Sequence, residues 1–405
     1  MGLIDNIKEY QHNFAVNSKK EKAYLSFLEQ GFPNTKNEEW KFSSLKKIIS
    51  NDFSIEDKGI EINTEEINHN SLNFNYKIIF VNGVLDSKPI IKGVKINKHV
   101  DESPSFSNAF SALNAAFSNT GYEINVDPNI IIEEPIEILF LTKNSSNNFI
   151  QYRNKIVLGE NSQIKIIESV KNIGDQYCFT NMQTNIKLNR SSNIEFNKLQ
   201  NNNDSQITID ETSLTQEENS NSTVNTLLFG GMFTRNNLNF AQNGEHCESN
   251  MNGVVILDDN EFGDNHTYMD HKNANCESNE LYKGIYLGKS RGVFNGKIMV
   301  QPDAQKINAF QANNNLLVSD NASINSMPQL EIYADDVKCS HGCTIGQLDE
   351  NALFYMNTRG IRKEDARAIL TFAFASEALE KISINKIEDL AKDLIAQKLK
   401  VDLSF

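Results

Sequence analysis

Two stretches decide the fold: Asn161-Ser162-Gln163-Ile164-Lys165-Ile166 and, thirty residues later, Ser191-Ser192-Asn193-Ile194-Glu195-Phe196. In each, a polar turn-forming triplet precedes two apolar residues separated by one charged residue, the period-two pattern of a half-buried strand. The same interval leads on to Val224 and Thr226, then to Val254 and Ile256. Self-similarity at a fixed period of this length marks a stacked architecture. Helical repeats fit poorly, because the segments alternate, carry β-branched residues and are broken by Asn, Ser and Gly. A single unit would expose an apolar face and unpaired backbone groups, so successive units are expected to stack about 4.8 Å apart around one shared interior. That arrangement is a parallel β-helix; an antiparallel sandwich with coincidental spacing is the competing one. The tetrapeptide Cys-Glu-Ser-Asn also recurs, at 247–250 and 276–279.

Outside this region the pattern changes. Residues 1 to about 50 read as helical, with Ala23, Tyr24, Phe27 and Leu28 at helical spacing and a break at Gly31-Phe32-Pro33. Short β-branched runs begin near residue 76, at Ile78, Phe80 and Val81, at Ile130 to Ile132 and at Ile136 to Leu141. Ser105 to Phe117 reads as one short helix. Helical spacing returns from Asp349, over Asn351 to Tyr355, Lys363 to Lys381 and Ile387 to Leu399. The abundant Asn and Ser of the middle suit the tight turns of a solenoid rather than disorder.

The chain's 39 basic and 53 acidic residues leave a net charge of -14, which argues against nucleic acid and anionic membrane as partners. Met1 to Asn6 turns polar within five residues, unlike a signal peptide, and no apolar run reaches the roughly 18 residues of a membrane span. Five scattered cysteines, Cys178, Cys247, Cys276, Cys339 and Cys343, suit a reducing compartment. A cytoplasmic protein is expected.

The strongest chemical feature is Lys338-Cys339-Ser340-His341-Gly342-Cys343. If extended, it puts residues 339, 341 and 343 on one face about 6.6 Å apart, two thiols around one imidazole. Such groups ligate iron and iron-sulfur clusters, yet a complete site needs four ligands, so another chain or solvent would have to complete it. Small cysteines beside a hydrogen-bonded histidine are the competing reading. A second polar cluster, Asp264 to His271 with Glu245-His246-Cys247, reads as structural, since Asp270 and His271 face opposite sides of a strand. Gly284 to Ser290 has one residue too few between its glycines for a phosphate loop, and Phe262 spoils a calcium loop over Asp258 to Asp264.

Asp335 to Gly342, continuing through Gly346-Gln347-Leu348-Asp349-Glu350-Asn351-Ala352-Leu353-Phe354-Tyr355 to Arg359-Gly360-Ile361, resembles the carboxy-terminal signature of the SufB/SufD family. Tyr282 to Ile285, Gly292 to Ile298 and Asp264 to His271 resemble its core, and Gly31-Phe32-Pro33, Glu38 and Trp40 to Ser43 its amino-terminal segment. The resemblance implies a mainly β protein, a right-handed parallel β-helix flanked by N-terminal and C-terminal α-helical domains, divided at 1–75, 76–344 and 345–405. It implies a non-catalytic scaffold subunit of the SUF iron-sulfur cluster assembly system. Its partners would be a SufB-type scaffold and a SufC-type ATPase of the ABC type, with no nucleotide on this chain and a transient cluster shared with the SufB-type partner.

In the family the B subunit carries a cysteine after a glutamine in the segment matching Ala309 to Asn314; Ala312 stands there here, which sorts the chain with the D-type subunits. By the same resemblance His341 is the cluster ligand, with Cys339 and Cys343 as supporting thiols; Cys343 departs from the small residue usual at that place. The helix from Glu364 to Leu379, with Arg359, Gly360, Ile361, Arg367, Phe372 and Phe374, is the expected grip for the ATPase, although packing onto the β-helix would equally explain its apolar face. A β-helix carbohydrate-active enzyme, such as a polysaccharide lyase, and a structural homodimer of the isolated chain are the alternatives.

Overall fold

Each repeat forms two strands, and successive repeats stack in register, so that Ile164 lies beside Ile194 and Ile166 beside Phe196. The structure, a computed structural model, describes residues 2–55, 59–99 and 106–400. Its strands alternate between two sheets. A ten-stranded sheet runs from Val84–Ser87 at one edge, through Tyr76–Val81 and Ile136–Thr142, to Val337–Gly346 at the other. A nine-stranded sheet runs from Val94–Lys98, through Tyr122–Val126 and Asn148–Leu158, to Ser323–Ile332. The two edge strands at the N-terminal end pair antiparallel and every other pairing between strands of the described residues is parallel, giving a parallel β-solenoid of about eight turns. The expected β-helix is therefore present, and the antiparallel sandwich is excluded.

The thirty-residue interval is not constant along the solenoid. Phe196 pairs with Val224, twenty-eight residues on, and Val224 with Met251, twenty-seven on. Ile164, Ile166, Ile194, Phe196 and Val224 all line the interior, whereas Val254 and Ile256 lie on the outer face under the C-terminal helices. The fourth copy of the repeat was thus assigned to the wrong face. Corners absorb insertions and deletions that the ladder does not, so the period drifts while the register survives.

The corners explain the asparagines. Asn161, Ser191, Asn219, His246, Asn275 and Lys306, one per turn, share a left-handed backbone with φ between 56 and 59°. Asn adopts that region at least cost among side-chain-bearing residues. Ile130 to Ile132 is not a strand: it follows left-handed Asn129 and precedes Pro135, and Ile131 makes a single bridge to Gln163.

Helices cover the outer faces of both sheets. Leu3–Glu9, Lys19–Gln30 and Ala109–Phe117 bury Leu3, Ile7, Tyr24, Phe27 and Leu113 against Phe149, Phe179, Ile207 and Phe233 of the nine-stranded sheet. The expected helix over 105–117 begins at Ala109, where Asn108 caps it by accepting from the Ser111 N–H at 2.9 Å; Ser105 lies outside the described residues. Lys363–Leu379 and Asn385–Leu399 bury Ala375, Leu379, Ile387 and Ile395 against Leu227, Val254 and Ile285 of the ten-stranded sheet.

The N-terminal segment is locked onto the solenoid by a buried ion pair. Arg235 Nη1 donates to Asp264 Oδ2 at 2.7 Å and to the Glu39 carbonyl at 2.8 Å, while its guanidinium lies 3.9 Å from the Trp40 ring centroid. Ser43 Oγ donates to the same carboxylate, and His266 Nε2 lies 2.9 Å from its other oxygen. Burial opposes ionisation of Asp264, but Arg235, His266 and Ser43 outweigh it and hold the carboxyl below its usual value. Removing one partner leaves the other charge buried and unpaired. Asp264→Ala is therefore expected to cost about 3–5 kcal/mol in urea unfolding, and a double Arg235→Met/Asp264→Leu variant distinctly less.

Candidate functional site

Val337–Gly346 is the last strand of the ten-stranded sheet and pairs on one side only, with Ile307–Leu317. Cys339 sits beside Ala309, His341 beside Gln311 and Cys343 beside Asn313. Alternation along a strand gives these three the same inward parity as Ala309, Gln311 and Asn313, which are buried. No further turn covers the last one, so Cys339 is half-buried and His341 and Cys343 are exposed. The two thiols and the imidazole thus share one face of an extended strand, at the open end of the interior. Burial pushes the Cys339 thiol up.

Part of the interior becomes polar toward this end. One inward column runs Ile136, Ile166, Phe196, Val224, Met251 and then Glu280, Gln311 and His341. Gln311 Nε2 donates to Glu280 Oε2 at 2.6 Å, with Gly296 giving it room: a Cβ there would come within 2.2 Å of that nitrogen. Burial drives the Glu280 carboxyl up to about 7 against the pull of Thr267 and Gln311. Asn313 Oδ1 accepts from Ser326 Oγ and from Asn315 Nδ2, each at 2.7 Å. Neither Glu280 nor Gln311 was singled out in the sequence. Counting back one and two turns from His341 would have found them, had the turn lengths been known.

The surrounding rim combines unpaired backbone with apolar side chains. Ser323–Ile332, last in the nine-stranded sheet, also pairs on one side only. Phe310, Ile332, Tyr333 and Ile345 are exposed on these last turns, and a Cβ on Gly342 or Gly346 would meet nothing within 4 Å. Free parallel edges with exposed apolar residues are templates for pairing with another chain.

The residues expected to grip an ATPase divide into two groups. Arg359 and Gly360 are exposed and Ile361 half-buried in the turn between Glu350–Thr358 and Lys363–Leu379. Arg359 lies over the Tyr355 ring at 5.2 Å, and the neighbouring Phe354 is 70% exposed. Arg367 is exposed and donates to the Val318 carbonyl at 3.0 Å. Phe372 and Phe374 are half-buried against the solenoid, and Lys283 Nζ sits 4.7 Å from the Phe374 ring and 2.6 Å from Glu377. The exposed aromatic pair Phe354 and Tyr355 was missed as a surface feature, because helical spacing alone does not say which face a neighbour leaves open.

The Asp264 to His271 cluster is divided by strand alternation. Buried His271 pairs its Nε2 with Ser278 Oγ at 2.9 Å and is driven down to about 4 by burial, so it is neutral. Asp270 accepts from Gln301 at 2.9 Å, while Asp264 serves the Arg235 pair. Among the described residues no three His, Cys, Asp or Glu side chains converge as a metal site.

Comparison with known proteins agrees with this architecture. The family model of the SUF system FeS cluster assembly, SufBD core domain, matches residues 140–374, and that of the SufBD protein N-terminal region matches residues 4–86. The chain belongs to the SufBD family. It is 28% identical over 411 residues to the iron-sulfur cluster assembly protein SufD of Escherichia coli K12, covering 97% of this chain and 96% of that one. It is 26% identical over 393 residues to an iron-sulfur cluster assembly SufBD family protein of Synechocystis, covering 90% and 87%. A shorter match, 30% over 240 residues and covering 59% and 50%, is to the chloroplastic protein ABCI7 of Arabidopsis thaliana. As a SufBD family protein it takes part in iron-sulfur cluster assembly.

The buried Glu280 gives this end of the solenoid a pH signature. In the unfolded chain the carboxyl ionises near 4.5, whereas the folded chain holds the proton to about 7. Between these values the folded state binds more protons, so the contribution is complete below pH 4.5 and is lost as pH rises to 7. Glu280→Gln should flatten the pH profile of urea unfolding and, at pH 8, exceed the parent in stability by on the order of 3 kcal/mol.

Proposed function

We propose that this chain is the non-catalytic, D-type scaffold subunit of a SUF complex and that it presents His341 to a nascent iron-sulfur cluster built against a SufB-type partner. The observation that carries the reading is the placement of His341: exposed, at the last turn of the solenoid, between two free sheet edges and an apolar rim. A second solenoid of the same family can add its own strands to those edges by backbone pairing, which brings its end residues next to the imidazole. His341 then supplies one ligand, with Cys339 and Cys343 as supporting thiols, and the partner supplies the others. Holding the cargo through few ligands from each chain favours its release to an acceptor.

The division at 1–75, 76–344 and 345–405 gives each part a role: an N-terminal clamp, a presenting core and a C-terminal handle. A SufC-type ATPase of the cytoplasm would take the handle by the turn Arg359-Gly360-Ile361 with Phe354 and Tyr355, leaving Phe372 and Phe374 to hold the helix on the solenoid. Arg367 links that helix to Val318, which directly follows Ile307–Leu317, the strand beneath His341. Movement of the ATPase subunits on ATP binding would reach the cluster end along this route.

Anaerobic reconstitution of the complex with iron and sulfide tests the ligand role. His341→Ala is expected to lose most of the visible cluster absorbance while still copurifying with both partners, and Cys343→Ala to lose little. A His341→Ala complex with undiminished absorbance would refute it. For the handle, Phe354→Glu should weaken ATPase binding by about 2 kcal/mol or more in calorimetric titration while leaving thermal unfolding unchanged. Pairing of the isolated chain with a second copy in place of a SufB-type subunit would show as a dimer by light scattering that the partner displaces.

A further inference from the structure

The repeated tetrapeptide Cys-Glu-Ser-Asn becomes a site once the turns are stacked. Glu248 pairs with Glu277 in the parallel ladder, so Cys247 and Cys276, one residue earlier, lie side by side on successive turns. Their contact is direct. The Cys247 N–H points at Cys276 Sγ at 3.4 Å, and both sulfurs meet one carbonyl oxygen, that of Gly244, at 3.4 and 3.3 Å. In-register neighbours on parallel strands have Cα atoms about 4.8 Å apart, inside the 4.4–6.8 Å window that a disulfide requires.

The corner does not need sulfur. Ser162, Ser192 and Ser220 precede Cys247 and Cys276 in the same column. Their hydroxyls donate to the Gly159, Asn189 and Glu217 carbonyls, three residues back, at 2.8, 2.7 and 2.6 Å. Cys247 makes the equivalent bond to Gly244 with its thiol. Serine thus does the structural work on three turns, and thiols stand on the next two, adjacent ones. The side-chain contact between them lowers the Cys247 thiol and raises that of Cys276, so Cys247 is the one of the two that gives up its proton more readily.

We propose that Cys247 and Cys276 are a peroxide-reactive pair that closes into a reversible disulfide between two turns of the solenoid. Cys247 thiolate attacks one oxygen of hydrogen peroxide: the S–O bond forms, the O–O bond breaks, and the departing hydroxide takes a proton to become water. Cys276, giving up its proton, then attacks the resulting sulfenic sulfur and expels hydroxide, which that proton converts to the second water. Two thiols and one peroxide become one disulfide and two waters, the two electrons passing from sulfur to peroxide. The pair is buried, but exposed His246 and Glu248 flank Cys247 at the corner. Such burial favours a small oxidant over a bulky protein thiol as the reactant. Cys339 and Cys343 cannot compete for the same product, since four residues of extended strand separate them by about 13 Å. Oxidation pins two central turns together and leaves the cluster-facing strand untouched.

The test uses the full chain, reduced, treated with hydrogen peroxide, then denatured, alkylated and digested. The expected product is a peptide pair joined through Cys247 and Cys276, two hydrogens lighter than the free peptides and released by dithiothreitol. A Cys339→Ser/Cys343→Ser variant should give the same product at the same rate, which keeps the result independent of the exposed thiols. Cys247→Ser and Cys276→Ser, each restoring the corner residue used at 162, 192 and 220, should fold like the parent and yield none. The proposal fails if both cysteines remain alkylatable in oxidised wild-type protein, or if they end as separate sulfinic acids.

Discussion

Every feature of this molecule depends on the backbone ladder between successive turns. Because the strands are parallel and in register, each inward residue stacks on the residue at the same place in the turn below, about 4.8 Å away. A residue's environment is set less by its chain neighbours than by residues some thirty positions before and after it. That is why a column can change from Ile and Phe to Glu280, Gln311 and His341 without disturbing the strands that carry it.

A ladder of this kind has two ends, and here they are treated differently. At the N-terminal end the outermost strands, Val84–Ser87 and Val94–Lys98, run antiparallel to their neighbours. At the other end Ser323–Ile332 and Val337–Gly346 keep one edge each free, and the inward row that another turn would have buried is left facing outward. The functional end is thus the place where stacking stops. Polar groups can gather there at modest cost because solvent or a partner chain can satisfy them, whereas deeper in the interior they need each other. Lys198 donates to Asp210 at 2.6 Å and Thr212 at 2.7 Å, and Tyr122 to Glu168 at 2.8 Å, in a cluster where burial still drives the Glu168 carboxyl up to about 7.

Much of this was legible because side-chain period and turn length both leave marks in a linear sequence. The early turns are thirty residues long, the apolar pairs alternate, and the corners spell Asn and Ser, so a stacked β architecture followed from Ile164, Ile166, Ile194 and Phe196. The row Cys339, His341, Cys343 was readable from alternation alone. Turn length, by contrast, wanders at the corners, and a shift of even a few residues moved Val254 and Ile256 from the interior to the outer face. The exposed face of the Glu350–Thr358 helix, with Phe354 and Tyr355, was not readable for a related reason: its spacing identifies a helix without naming what covers it.

Local chemistry determined the kinds of element, the residue types at the corners and the order of side chains along the last strand. Only the tertiary structure decided which distant residues meet: Ser43 with Asp264, Arg235 with Asp264, Gln311 beneath His341, Cys247 against Cys276. Those meetings depend on how turns of unequal length stack, which no single segment encodes. The exposure of His341 depends on it most of all, since it follows from the absence of a next turn in the ladder rather than from any property of the residues around it in the chain.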